Sequence, residues 1–211
     1  MHYKVAIPYI LQGMNQSRST SAGDYDKSLS EYGESPKALL WASYRIAAIR
    51  YKELVADVPV EGKTILDVGC GMGDVLPFLY AKSPNFKYLG ADTNEGFIEI
   101  AKKRYEGHEF KIVDPFTDDI GRFDVVISCG VLNGNVDNWM EERKKAITSL
   151  FELANEVLAF NMAGGLTPIP STPITAFADL QEVLAFCASL TPRLIVRNHY
   201  TSKGFTIVMF K

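Results

Sequence analysis

The chain has 211 residues, 47% hydrophobic and 22% charged, with a formal net charge of -3. That suffices for one large domain with its own core, and it gives no global basic excess for binding nucleic acid through many phosphates. Three dispersed cysteines (Cys70, Cys129, Cys187) form no C-x-x-C pair, which argues against a disulfide framework or a zinc site and fits a reducing cytoplasm. The N-terminal apolar run is short and broken by Pro8, so it does not read as a signal peptide, and no stretch approaches a membrane span.

The first 35 residues are polar and rich in Ser and Gly, punctuated by Tyr25 and Tyr32. They are expected to be irregular and to fold over something as a lid, together with Trp41. Ser35-Pro36 predicts a helix start, with Leu40, Tyr44, Ala47, Tyr51 and Leu54 at helical spacing up to Pro59. From there strands and helices alternate. "KTILDV", "FKYLGAD", "EFKIVD", "FDVVISCG" and "EVLAFNM" read as strands. "DVLPFLYAKS", "NEGFIEIAKKRY" (capped by Thr93 or Asn94) and "WMEERKKAITSLFELA" read as helices. After the proline-rich loop 164–173 come a helix, "AFADLQEVLAFCASL", and a hairpin of "RLIVRNHY" and "FTIVMF" joined by "TSKG".

This pattern predicts an α/β three-layer sandwich with a seven-stranded, mostly parallel sheet whose last strand is antiparallel. One domain is expected, with 1–58 as lid segment and helix and 59–211 as the Rossmann-like core.

In such sheets ligands bind at the carboxyl ends of the strands. Here those ends carry Asp67 with Gly69, Gly71 and Gly73, then Asp92, then Asp114, then Ser128-Cys129-Gly130. The loop "GCGMGD" lacks the Lys-Ser/Thr of a P-loop, and Asp74 stands where a dinucleotide fingerprint has its third glycine. Asp67 and Asp74 oppose a phosphate at a helix start, so the site suits a ligand with a cationic centre. Asp92 is placed to accept from ribose hydroxyls and Asp114 from an adenine amino group, with Phe116 available to its ring face.

"ILDVGCGMGD", "YLGADTNEGFIEIAKKR", "KIVDPF" and "FDVVISCGVLN" together resemble the class I S-adenosylmethionine-dependent methyltransferases, over about residues 60–161. The short run "DYDKSLSEYGESPKALLW" resembles the entry segment of bacterial small-molecule members. The resemblance implies S-adenosyl-L-methionine as cofactor and S-adenosyl-L-homocysteine as product. Asp67, Gly69, Cys70 and Gly71 would line its amino-acid part, Asp92 and Thr93 the ribose, Asp114 and Pro115 the adenine, and Cys129 and Gly130 the region of the transferred methyl. The acceptor expected is a small molecule, since no Asn/Asp-Pro-Pro-aromatic or Pro-Cys motif of nucleic-acid enzymes is present. Asn133 and Asn135 face the acceptor or make a turn, and His199 is the best histidine for a general base, with a surface position on the hairpin the favoured account of it. A catalytically silent cofactor-binding protein and a nicotinamide-dependent oxidoreductase stand as alternatives.

Overall fold

The computed structural model describes residues 24–211. The described chain opens on helical residues 24–32 (α1). It then runs α2 (Tyr44–Val55), β1 (Lys63–Val68), α3 (Leu76–Tyr80), β2 (Phe86–Asp92), α4 (Glu95–Arg104), β3 (Glu109–Ile112) and β4 (Phe123–Cys129). There follow α5 (Trp139–Leu153), β5 (Ala154–Met162), β6 (Gly164–Gly165), β7 (Ala178–Asp179), α6 (Leu180–Leu190), β8 (Leu194–Arg197) and β9 (Phe205–Phe210).

Seven strands form one sheet in the order β3-β2-β1-β4-β5-β9-β8. β1 to β5 are parallel, and β9 is antiparallel to both β5 and β8. The strand order reverses between β1 and β4, which opens the crevice that ligands use in this architecture. Alternation along each strand divides the core. Leu66, Val68, Val126 and Leu158 meet α5 and α6, while Ile65, Tyr88, Val125, Ile127, Ala159 and Val208 meet α2, α3 and α4.

Three sequence expectations are corrected. The helix predicted from Ser35 makes only a 3-10 turn over Pro36–Leu39, because Leu40 takes a left-handed φ of 60° and breaks it. The true start is eight residues later, where Ser43 Oγ accepts the Ile46 N–H as N-cap. The segment expected to be irregular is instead helical at 24–32, because Tyr25 and Leu29 lie one turn apart and pack on Ala38, Met72 and Phe97. The rest of the expected lid, together with the N-terminal run read as lacking a leader, lies outside the described residues. The third is β3, which ends at Ile112, leaving Asp114 in the following turn. The small β6–β7 pair was not anticipated; its two-residue strands are below any periodicity signal. Among the described residues no helix is long and apolar enough to cross a membrane.

Candidate functional site

Asp67 and Asp92 share a face with Tyr88, the face covered by α2, α3 and α4, because side chains on a strand alternate. Asp67 is buried, and the Tyr88 hydroxyl donates to its Oδ2 at 2.7 Å. Burial raises its pKa to about 7, only partly offset by that hydrogen bond and reinforced by the charges of Asp92 and Asp74. Asp92 accepts the Gly71 N–H at 2.8 Å on Oδ2 and the Asn94 N–H at 2.9 Å on Oδ1. Burial raises its pKa also, against those backbone donors.

Gly69, Gly71 and Gly73 all take left-handed φ, at 71°, 53° and 78°. The loop they shape has few donors left. The N–H groups of Gly69 and Cys70 both go to Ala91 O, Gly71 N–H goes to Asp92, and Gly73 N–H goes to Cys70 O. A phosphate cradle needs such groups free and aimed outward. Here they are consumed inside the fold, and the buried Asp67 and half-buried Asp92 carboxylates stand beside them. Asp74 turns out to matter less than its position suggests: Arg104 Nη1 pairs with it at 3.0 Å. Asp67, Asp92 and the spent amides are what disfavour a phosphate here.

Asp114 Oδ1 accepts the Phe116 N–H at 3.0 Å in a side-chain-closed turn that buries Pro115, and Phe116 leans on the α5/α6 core. Thr93 is exposed between Asp92 and the α4 cap Asn94. Cys129 and Cys70 are both protonated thiols. Burial pushes Cys129 up to about 12 and Cys70 well above its ordinary value. Gly130 takes a φ of 83° and lies beneath the Trp41 ring. Tyr25 packs edge-on against Phe97 with ring centroids 5.8 Å apart, and the Asp92 charge reaches its phenol. Tyr32 is 42% exposed and takes the Lys37 ammonium on its ring. Asn133 is committed to structure: its Oδ1 accepts the Ala163 N–H at 2.7 Å and its carbonyl accepts the Ala176 N–H. Asn135 likewise donates to Thr172 O. His199 is an exposed hairpin residue, 3.6 Å from Glu53.

Sequence reasoning passed over a second polar group on the same face. Cys129, Asn161, Thr206 and Arg197 are register partners across β4, β5, β9 and β8. Asn161 is fully buried and its Nδ2 donates to Cys129 Sγ at 3.1 Å. Tyr200 and Thr206 hydrogen-bond at 2.9 Å. Above them lies Arg50 of α2. The one sequence signal was an arginine inside the apolar stripe Ala47, Tyr51, Leu54.

The fold is that of the class I S-adenosylmethionine-dependent methyltransferases. Residues 66–156 match the family model of a methyltransferase domain. The chain is 32% identical over 94 residues to a carboxy-S-adenosyl-L-methionine synthase of Campylobacter hominis, covering 43% of this chain and 38% of that one. It is 30% identical over 118 residues to a trans-aconitate 2-methyltransferase of Methylobacterium radiotolerans, covering 54% and 44% respectively. The matches thus span less than half the length of these curated relatives. Magnesium protoporphyrin IX methyltransferase of Synechocystis PCC 6803, solved with bound S-adenosylhomocysteine, shares the fold at a TM-score of 0.59 and 16% identity, over 99% of this chain and 90% of that one.

Proposed function

We propose that this chain is an S-adenosylmethionine-dependent methyltransferase acting on a small-molecule acceptor in the cytoplasm. The observation that carries the reading is the loop after β1, poor in donors and flanked by Asp67 and Asp92. Such a site favours a cation and hydroxyl donors over phosphate. The residues fit the cofactor. Gly69 and Gly71 are approached by the ends of Val131 and Leu39, side chains that can rotate aside, while Gly73 backs onto the rings of Tyr105 and Phe110. The acids face the sheet end where a sulfonium nucleoside binds in this fold. The methyltransferase-domain match over 66–156 supports the same reading.

When bound, the cofactor supplies a methyl already activated by positive charge. The protein's part is alignment and exclusion of water. Asp92 orients the ribose, flanked by Thr93. Asp67 sets the negative potential beside the amino-acid part, lined by Gly69, Cys70 and Gly71. Asp114, Pro115 and Phe116 border the adenine. Cys129 and Gly130 form a small neutral floor near the methyl, since the Cys129 thiol stays protonated. Tyr25 and Trp41 close over the crevice, and Tyr32 stands at its outer edge. No general base is required where the acceptor atom is already deprotonated. His199, exposed and facing Glu53, takes that role only for an acceptor that reaches the hairpin.

Calorimetry with S-adenosylhomocysteine tests the reading. Saturable binding, with label transferred from methyl-labelled cofactor to a panel of small acceptors, is the expected result. Absence of binding by either cofactor form would reject it. Binding without turnover across the panel would favour a silent cofactor-binding protein.

A further inference from the structure

Arg50 is out of balance with its surroundings. Its Nε and Nη1 are buried and neither has a hydrogen-bond partner among the described residues. Its guanidinium sits 5.1 Å from the centre of the Trp41 ring, and so lies against an apolar face. On another side it presses on Gly204: a Cβ there would come within 3.2 Å of Nη2 and 3.3 Å of Nη1. The nearest acid on the same helix face, Glu53, is already taken by Arg197 Nη1 at 2.8 Å. Arginine does not give up its proton, so two buried guanidinium nitrogens without an acceptor are costly to keep.

Arg143 makes a useful contrast. It also has buried nitrogens without partners, but its Nη2 donates to Ala176 O at 2.7 Å and it stacks on Trp139, so it serves the 171–178 loop. Arg50 makes no hydrogen bond among the described residues. What surrounds it instead belongs to the site. Trp41 also covers Gly130 at the end of β4. Arg50's charge reaches Cys129 and Tyr200. Asn161, in register with Cys129, keeps a buried Oδ1 with no partner. The Trp41 ring thus borders both the guanidinium and the β4 end.

Resting on the methyltransferase reading, we propose that Arg50 receives a carboxylate of the methyl acceptor, so that the enzyme acts on an organic acid. The guanidinium offers Nε–H and Nη1–H to the two carboxylate oxygens, and the free Asn161 amide atom offers a further polar contact beside it. Gly204 is small because the guanidinium needs its space.

The test titrates benzoate, succinate and citrate, each beside its neutral amide, into the protein saturated with S-adenosylhomocysteine. Wild type should bind at least one carboxylate at least about tenfold more tightly than its amide. Arg50→Met should abolish that preference while keeping S-adenosylhomocysteine affinity within about twofold and melting no lower than wild type, because the uncompensated charge is gone. Arg50→Lys, which keeps the charge and loses the planar fork, should retain only part of the preference and guards against a misfolded methionine variant. Wild type that binds S-adenosylhomocysteine but does not distinguish acids from amides would overturn the proposal alone. A tenfold fall in S-adenosylhomocysteine affinity in Arg50→Met would give the guanidinium to the cofactor's own carboxylate. A melting point lower by more than about 5 °C would give it a packing role. Wild type that binds no S-adenosylhomocysteine would overturn the methyltransferase reading first.

Discussion

The two halves of the sheet's carboxyl edge carry opposite imbalances. Under β1 and β2, Asp67 is a buried acid and Asp92 a half-buried one, and desolvation raises the pKa of both. At β5, β9 and β8, Arg50 is a half-buried base whose Nε and Nη1 are buried and idle among the described residues. Neither half neutralises the other, although one face of one sheet holds both. Asp67 and Asp92 are held by neutral donors and Arg50 lies against an aromatic ring, none of them in an ion pair among the described residues, and such arrangements mark candidate ligand sites.

The acidic half can be broken most visibly at Asp67. Its folded pKa, about 7, lies above the ordinary carboxylate value. The folded state therefore holds more protons than the unfolded state between those two values, and stability falls as pH rises through that window. Against an Asp67→Asn variant, which does not titrate, wild type should lose roughly 4 kcal/mol between pH 4 and pH 8. Urea unfolding of both proteins across that range measures it, and parallel curves would contradict the burial argument. Bound cofactor should shrink the difference, because a cation beside Asp67 lowers its pKa.

Next comes Asp92→Asn. It removes the charge from a group that also holds the Gly71 N–H, so S-adenosylhomocysteine affinity should drop by about 100-fold in calorimetry. A drop below fivefold would move the ribose contact elsewhere. On the other half, Asn133→Ala strands the Ala163 N–H and should lower stability by about 1–2 kcal/mol in urea. The smallest effect is expected at His199→Gln. With an exposed imidazole, stability should change by less than about 0.5 kcal/mol. Turnover should change less than about twofold, and a large loss in turnover alone would promote His199 to a catalytic role.

The acidic half was the legible one. Its residues follow one another in short motifs at strand ends, and the strand alternation that shows the fold also aligns Asp67 with Asp92. The basic half is assembled from α2, β5 and β9, far apart in the chain, and nothing local marks Arg50 or Asn161 as buried. The Ser35 cap failed for a related reason. Ser35-Pro36 is a sound local start signal, but tertiary packing draws Trp41 back over Gly130 and the chain turns at Leu40. Asp74 misled similarly, since its partner Arg104 lies 30 residues on, at the end of α4.

The strand order has a further consequence for how the protein is made. β9 lies between β5 and β8, yet it is the last of the three to leave the ribosome. β5 pairs with β9 from Val157–Phe210 to Met162–Phe205, so that edge of the nascent sheet stays open until roughly 50 more residues have been synthesised, a few seconds at ordinary rates. During that interval the run "VLAFNM" presents unpaired backbone to its surroundings, the kind of edge that recruits other chains. The sheet therefore closes at β9 only after α6 and β8 have been made, which leaves its last antiparallel pairings to the end of synthesis.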